Sequence, residues 1–381
     1  MRCFLHLLYR AGLGAVLLTL AGCIDTFEPE VIASAENYLV VDGTINSSGV
    51  TTIRLSRTDN LISTAPPPAE AKAAVFIEEE AGPRYALTET APGTYTSTSL
   101  ALIPAKRYRL FFRTQARRDY ASDYAAAKTT PPIDSVTWTA SAQGVQVYVN
   151  THDDNEATRF YRWDYDETWE FTSAFRSFLE YRNGRLDFRF NGDIYYCWKT
   201  EQSSAIKLGS TLALSQNVVA DYPLTLVPPS STKLRYKYSI LVKQYALSAE
   251  EFAYWELLQK NTENIGTIFD PQPSQLTGNV RNIADATEPV IGYIGVQSVT
   301  EKRIFIERRQ LPQSWVSLTG YEQDCGRPDT IKPPTPAMED FFRTGDFIPI
   351  DRLEGGGYLY SIADCVDCRK RGTNVRPAFW K

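Results

Sequence analysis

The sequence is short of histidine, short of positive charge and without a long apolar run, and each shortage removes a class of function. Only His6 and His152 occur among 381 residues, so no paired-histidine zinc motif can be built. Lys and Arg number 40 against 45 Asp and Glu, a formal net charge of −5. That balance lacks the basic footprint a phosphate backbone requires, which argues against nucleic acid as a partner. The apolar run at residues 11–22 is well short of the roughly 20 residues a helix needs to cross a bilayer core. Gly355, Gly356 and Gly357 are followed by no Gly-Lys-Ser/Thr and read as a flexible turn, not a phosphate cradle. No internal repeat or long low-complexity segment occurs. What is present is 43% hydrophobic, 22% charged and 12% aromatic, the composition of a folded chain long enough for two domains or one elaborate β-fold.

The short apolar run follows Arg2 and Arg10 and ends in small residues, the layout of a secretory signal peptide over residues 1–22. Its end, Leu20-Ala21-Gly22-Cys23, resembles the bacterial lipobox, in which cleavage before the cysteine makes it the lipidated N-terminus. More than one acyl chain on Cys23 would hold the protein stably at the outer membrane. An ordinary secreted protein is the alternative. Loss of Arg2 and Arg10 takes the formal charge from −5 to −7. Residues 23–35 carry Asp25, Glu28 and Glu30 and no basic residue, which reads as a flexible acidic tether. Acidic residues so placed also resemble the surface-export signal of Bacteroidota lipoproteins, so a cell-surface-facing location is expected.

With Cys3 in the signal and Cys23 lipidated, Cys197, Cys325, Cys365 and Cys368 remain, an even set that an exported chain can hold as disulfides. All three pairings are open. The closeness of Cys365 and Cys368 favours a small loop between them, leaving Cys197 for Cys325. A four-thiolate zinc site is disfavoured because Cys197 and Cys325 are isolated, and a redox Cys-x-x-Cys because the pair sits near the C-terminus of a β-rich chain. No metal and no cofactor is expected.

From Tyr38 onward, short β-branched or aromatic runs alternate with turn residues, the pattern of an immunoglobulin-like sandwich over residues 36–130. Thr129-Thr130-Pro131-Pro132 marks the boundary, since a proline pair stiffens an extended connection. Residues 131–381 read as a larger β-rich domain, with strands that include 133–140, 145–150, 290–299 and 302–306. One amphipathic helix is expected near 249–262: Ser248 and Glu251 make a capping box, and Phe252, Trp255 and Leu258 an apolar stripe. The fold class is therefore all-β with one prominent helix.

The strongest compositional anomaly is the stretch 160–198, where 14 of 39 residues are aromatic against about five at the chain average. Tyr161, Trp163, Tyr165, Trp169 and Phe171 share one strand parity, with Arg162, Asp164, Asp166 and Glu170 on the other. The aromatic row reads as sandwich core; the functional alternative makes Tyr161, Trp163, Tyr165 and Trp169 a stacking platform for a glycan or peptide. His152 lies in a polar acidic turn and reads as a surface histidine, not a triad base. That turn lacks the glycine-centred loop of a calcium site. No carboxylate pair stands out as a glycosidase would need.

The stretches 39–43 (LVVDG), 161–170 (YRWDYDETWE), 238–245 (YSILVKQY), 269–276 (FDPQPSQL), 289–293 (PVIGY) and 364–375 (DCVDCRKRGTNV) resemble a Bacteroidota family of outer-membrane lipoproteins, domain-of-unknown-function family 4249. Asn282 departs from relatives that place a cysteine there, which leaves the disulfide pattern open. The resemblance implies a non-catalytic accessory to a TonB-dependent receptor in nutrient uptake, capturing glycan or peptide cargo or capping the receptor. The rivals are a surface glycan or peptide hydrolase and a structural or adhesive surface lipoprotein. No functional residue is defined for the family, so none is carried over.

Overall fold

The computed structural model describes residues 37–59, 65–104, 106–190, 192–263, 278–333 and 338–381. The signal peptide 1–22, Cys23, the tether and the stretch 269–276 lie outside the described residues. Residue contacts divide the chain into two units, 1–37 with 58–68, and 38–57 with 69–381. Of the first, only residues 37, 58–59 and 65–68 are described; all that follows concerns the second.

Its first part holds β1 (Leu39–Asn46), β2 (Ser48–Arg57), β3 (Ala74–Glu79), β4 (Arg84–Ala91), β5 (Thr94–Ala101), β6 (Arg107–Arg113), β7 (Asp119–Ser122) and β8 (Ala125–Ala126). Strand β4 pairs with β3 through its first half and β5 through its second, so the sheet passes from one layer to the other there. Alternating apolar residues of both layers (Leu39, Ile53, Tyr95, Tyr108, Phe112 and Tyr120 among them) share one buried core.

The second part begins with β9 (Ile133–Ser141), β10 (Gly144–His152), β11 (Phe160–Thr172), the hairpin β12 (Leu179–Arg182) and β13 (Arg185–Phe188), then β14 (Tyr196–Gln202), β15 (Lys207–Ser210), β16 (Val218–Val227) and β17 (Lys237–Ala246). After these come α1 (Ala249–Glu263), β18 (Val280–Asn282), β19 (Val290–Ile291), β20 (Val296–Gln297) and β21 (Val299–Glu307). A sheet ordered β16-β10-β9 faces one ordered β14-β11-β17-β21, with β15 also on β11. Val145, Val147, Val149 and Leu224 of one meet Tyr161, Trp163, Tyr238 and Ile240 of the other in a common core. The chain ends in β22 (Asp329–Ile331), β23 (Phe347–Arg352), β24 (Tyr358–Ile362) and the single turn α2 (Ala363–Val366). The fold is all-β, sandwich-like, with one 15-residue helix.

Three sequence expectations need correction. Residues 36–130 do not complete the first sandwich, because β18 pairs with β7 at one edge of its sheet while β19 and β20 pair with β1 at the other. Residues 280–297 thus act as a clasp over both edges, which would otherwise present unpaired main-chain groups. The expected strand 290–299 is accordingly broken. At Gly292 φ is +138° and a Cβ would stand 2.1 Å from the Val41 carbonyl oxygen, so only glycine allows the clasp to lie this close to β1.

The second correction concerns the helix. Its buried residues are Glu251 and Tyr254, one position round from the expected stripe of Phe252, Trp255 and Leu258, which are half-buried. Ser248 Oγ accepts from the Glu251 N–H at 3.1 Å, but the Glu251 carboxylate reaches Gln297 (3.3 Å) on β20. The helix is therefore held partly through a polar contact.

The third concerns the disulfides, which join Cys197 to Cys368 and Cys325 to Cys365, with Cα separations of 5.8 and 5.7 Å. The chain end is laid along β14, where Trp198 and Thr373 exchange both main-chain hydrogen bonds and the Cys368 N–H donates to the Ile194 carbonyl. That pairing sets Cys368 beside Cys197 and leaves Cys365 to face Cys325.

The proline-marked boundary is an anchored crossing. The Thr130 N–H donates to Ser298 Oγ at 2.8 Å, and the Pro131 carbonyl accepts from Gln244 Nε2 (2.9 Å) and Thr300 Oγ1 (3.0 Å).

Candidate functional site

The aromatic row of β11 is core. Tyr161 and Trp163 have no exposed surface, and Tyr165 and Trp169 are buried. The Trp163 ring stacks on Tyr161 (5.7 Å) and Tyr222 (4.5 Å) and its Nε1 donates to Gln244 Oε1 at 2.8 Å. Gly209 on β15 leaves room for it, since a Cβ there would stand 2.7 Å from the indole. Burial pushes the Tyr161 phenol up to about 12. None of the four residues named as a stacking platform can offer a ring face to a ligand. The exposed aromatics of the segment are instead Phe178, Phe188 and Phe190, on or beside the β12–β13 hairpin, and Tyr196 at the start of β14, with Phe190 83% exposed.

The same row hides a charge, which strand parity places inward although its chemistry favours water. Glu167 points inward between Tyr165 and Trp169, and is met by Lys233 Nζ at 2.6 Å and the Tyr238 hydroxyl at 2.8 Å. A buried carboxylate stands only with such partners.

The opposite, polar parity of β11 forms the floor of a cleft of about 590 Å³. Here the outward faces of β11, β17 and β21 oppose those of β1 and β2. Cross-strand register places Asp164 beside Lys243 and Lys243 beside Glu301, and Arg162 beside Tyr245. Lys243 Nζ donates to Asp166 at 2.6 Å, and Arg162 pairs with Asp164 at 3.2 Å. The facing wall carries Asp42 next to Arg54 and Thr44 next to Thr52.

Arg162 is clamped between two rings, its guanidinium carbon 4.1 Å from the Trp255 centroid and 4.5 Å from that of Tyr245. Burial, then the Asp164 charge, pushes the Tyr245 phenol far above its ordinary range. Burial likewise raises the carboxyl of Glu251, against the pull of Arg162. The helix supplies Trp255 and also fixes the rim: Glu263 accepts from the Ile206 N–H and Gln259 donates to the Ile206 carbonyl, both at 2.7 Å.

The polar half of the β11 alternation was on view in the sequence; what had no local signal was the facing wall, about 120 residues earlier in the chain. His152 has both ring nitrogens engaged, Nδ1 with Asp134 (2.7 Å) and Nε2 with Asp154 (3.4 Å), which leaves neither for a serine. Among the described residues no group of three or more His, Cys, Asp or Glu is arranged to hold a metal ion, and no helix is long and apolar enough to cross a membrane.

A family model described as Domain of unknown function (DUF4249) matches residues 24–303. No curated protein matches the chain. Among solved structures, a two fibronectin type-III domain segment from chicken tenascin is similar over 56% of this chain and 93% of that one, at 8% identity and a TM-score of 0.16.

Proposed function

The chain belongs to this family of unknown function, and from that premise we propose that it is a non-catalytic lipoprotein of the outer membrane, anchored through Cys23, that captures cargo in its cleft for a TonB-dependent receptor. The observation that carries the reading is the ion-paired cleft. A glycosidase needs one carboxyl held protonated in an apolar setting across from a second. Here Asp164 and Asp166 each have a cation within 3.2 Å, an arrangement that orients polar groups for binding. The cleft volume falls within the range of about 300–1,000 Å³ of small-molecule sites. The connection between the two sandwiches is itself bonded at Thr130 and Pro131 to Ser298, Gln244 and Thr300, which restrains how the cleft can open.

The test is affinity purification of the tagged full chain from native outer membranes, with Cys23→Ser alongside. A TonB-dependent receptor is expected to co-purify with the wild type, and the variant is expected in the soluble fraction. A variant that stays membrane-bound, or a wild type that brings down no receptor, overturns the proposal.

A further inference from the structure

The cleft's charges decide what kind of cargo suits it. Four carboxylates (Asp42, Asp164, Asp166 and Glu301) stand against three cations (Arg54, Arg162 and Lys243). A phosphate-rich or polyanionic ligand would meet an excess of like charge. A polycation would have to displace Lys243 and Arg162 from carboxylates they already hold. The remaining polar lining, Thr44, Asn46, Thr52, Gln202, Ser203 and Ser204, is neutral and mixes donors with acceptors.

A neutral peptide fits poorly for a different reason. The cleft presents sheet faces, and the main-chain groups of β11 and β17 are consumed in ladders with their neighbours, so an extended peptide gains no strand pairing there. What is on offer is a set of side chains at fixed spacing, beside the half-buried indole of Trp255, which also carries Arg162. Adjacent carboxylate–cation pairs place an acceptor and a donor side by side, which matches the vicinal hydroxyls of a sugar ring, while the ring's C–H face packs on an aromatic wall.

We infer that the cleft is a subsite for a neutral oligosaccharide, with Asp166–Lys243 and Asp164–Arg162 bonding its hydroxyls and Trp255 supplying the apolar wall. This rests on reading the cleft as a capture site. Calorimetric titration of the mature full chain tests it, with neutral oligosaccharides (β-1,4-linked trimers of glucose, xylose, mannose and N-acetylglucosamine, and maltotriose) set against polygalacturonate, polylysine and a mixed tripeptide pool.

At least one neutral saccharide is expected to bind. Asp166→Asn, through the loss of one charge-assisted contact, and Trp255→Ala, through the loss of the apolar wall, should each weaken it about tenfold, while Asp187→Asn on the β12–β13 hairpin, outside the cleft lining, leaves binding unchanged. Circular dichroism checks that each variant is folded. Binding of a charged polymer or of peptides in preference, saccharide binding that ignores both cleft variants, or no saccharide binding at millimolar concentration overturns the inference. A receptor that co-purifies from membranes while no saccharide binds would sink this inference alone and leave the accessory role standing; saccharide binding with no receptor would do the reverse.

Discussion

The side-chain amide of Asn279 grips the main chain of Ile294 twice, donating to its carbonyl at 3.0 Å and accepting from its N–H at 2.8 Å. Both residues are buried, and together they tie the two legs of the clasp that covers the edges of the first sheet. Asn279→Leu leaves one buried donor and one buried acceptor unpaired, each costing about 1–3 kcal/mol. Chemical denaturation should show a loss of about 2 kcal/mol or more, and a change within about 0.5 kcal/mol would mean the clasp does not depend on this residue.

Trp163 is expected to behave as core and Trp255 as cleft. Truncating a fully buried Trp costs about 3–5 kcal/mol, so Trp163→Ala should lower the thermal midpoint by several degrees, as should Trp169→Ala. Trp255→Ala, on a half-buried ring, should lower the midpoint by clearly less than Trp163→Ala. Equal midpoints for Trp163→Ala and wild type would contradict the packing described.

Peptide mapping without reductant should recover Cys197 joined to Cys368 and Cys325 joined to Cys365. In the loop-entropy picture the first bridge, closing 171 residues, is worth about 5 kcal/mol and the second, closing 40, about 4. Cys368→Ser is therefore expected to destabilise at least as much as Cys325→Ser. A Cys365–Cys368 fragment would refute the pairing.

His152 should make stability depend on pH. Its hydrogen bond to Asp134, and then the charges of Asp134 and Asp154, raise its pKa above the ordinary 6.5. A group whose folded pKa is raised contributes stability that is complete below its unfolded value and lost as pH climbs through the folded one. The difference in melting midpoint between wild type and His152→Asn should be greatest near about pH 5 and fade by about pH 9. A titration midpoint at or below the ordinary value, read from the imidazole proton resonance, would remove the basis for this.

The parts of the fold that were legible share a cause: they are local. The alternation along β11 announced which of its side chains are enclosed, because strand parity acts over two residues, and the same alternation carried the cleft's Arg162, Asp164 and Asp166 on its other face. The helix span was readable from Ser248, but its packed face was not, since apolar spacing cannot foresee that Glu251 is buried against Gln297. The run 290–299 reads as one strand, but its break into β19 and β20 and their pairing with β1, about 250 positions away, have no local signal. The disulfide pairing likewise depends on where the chain end is laid.

The clasp also dictates an order of events. As the chain is made from its N-terminus, β1 through β8 emerge first, yet the strands that cover β1 and β7 begin only at Val280. For the passage of some 150 further residues the young sheet has two bare flanks, each a template for pairing with another copy. Maturation therefore has a vulnerable interval, ended when residues 280–297 arrive, and a chain stopped anywhere before them would leave an adhesive fragment where a finished first sandwich should stand.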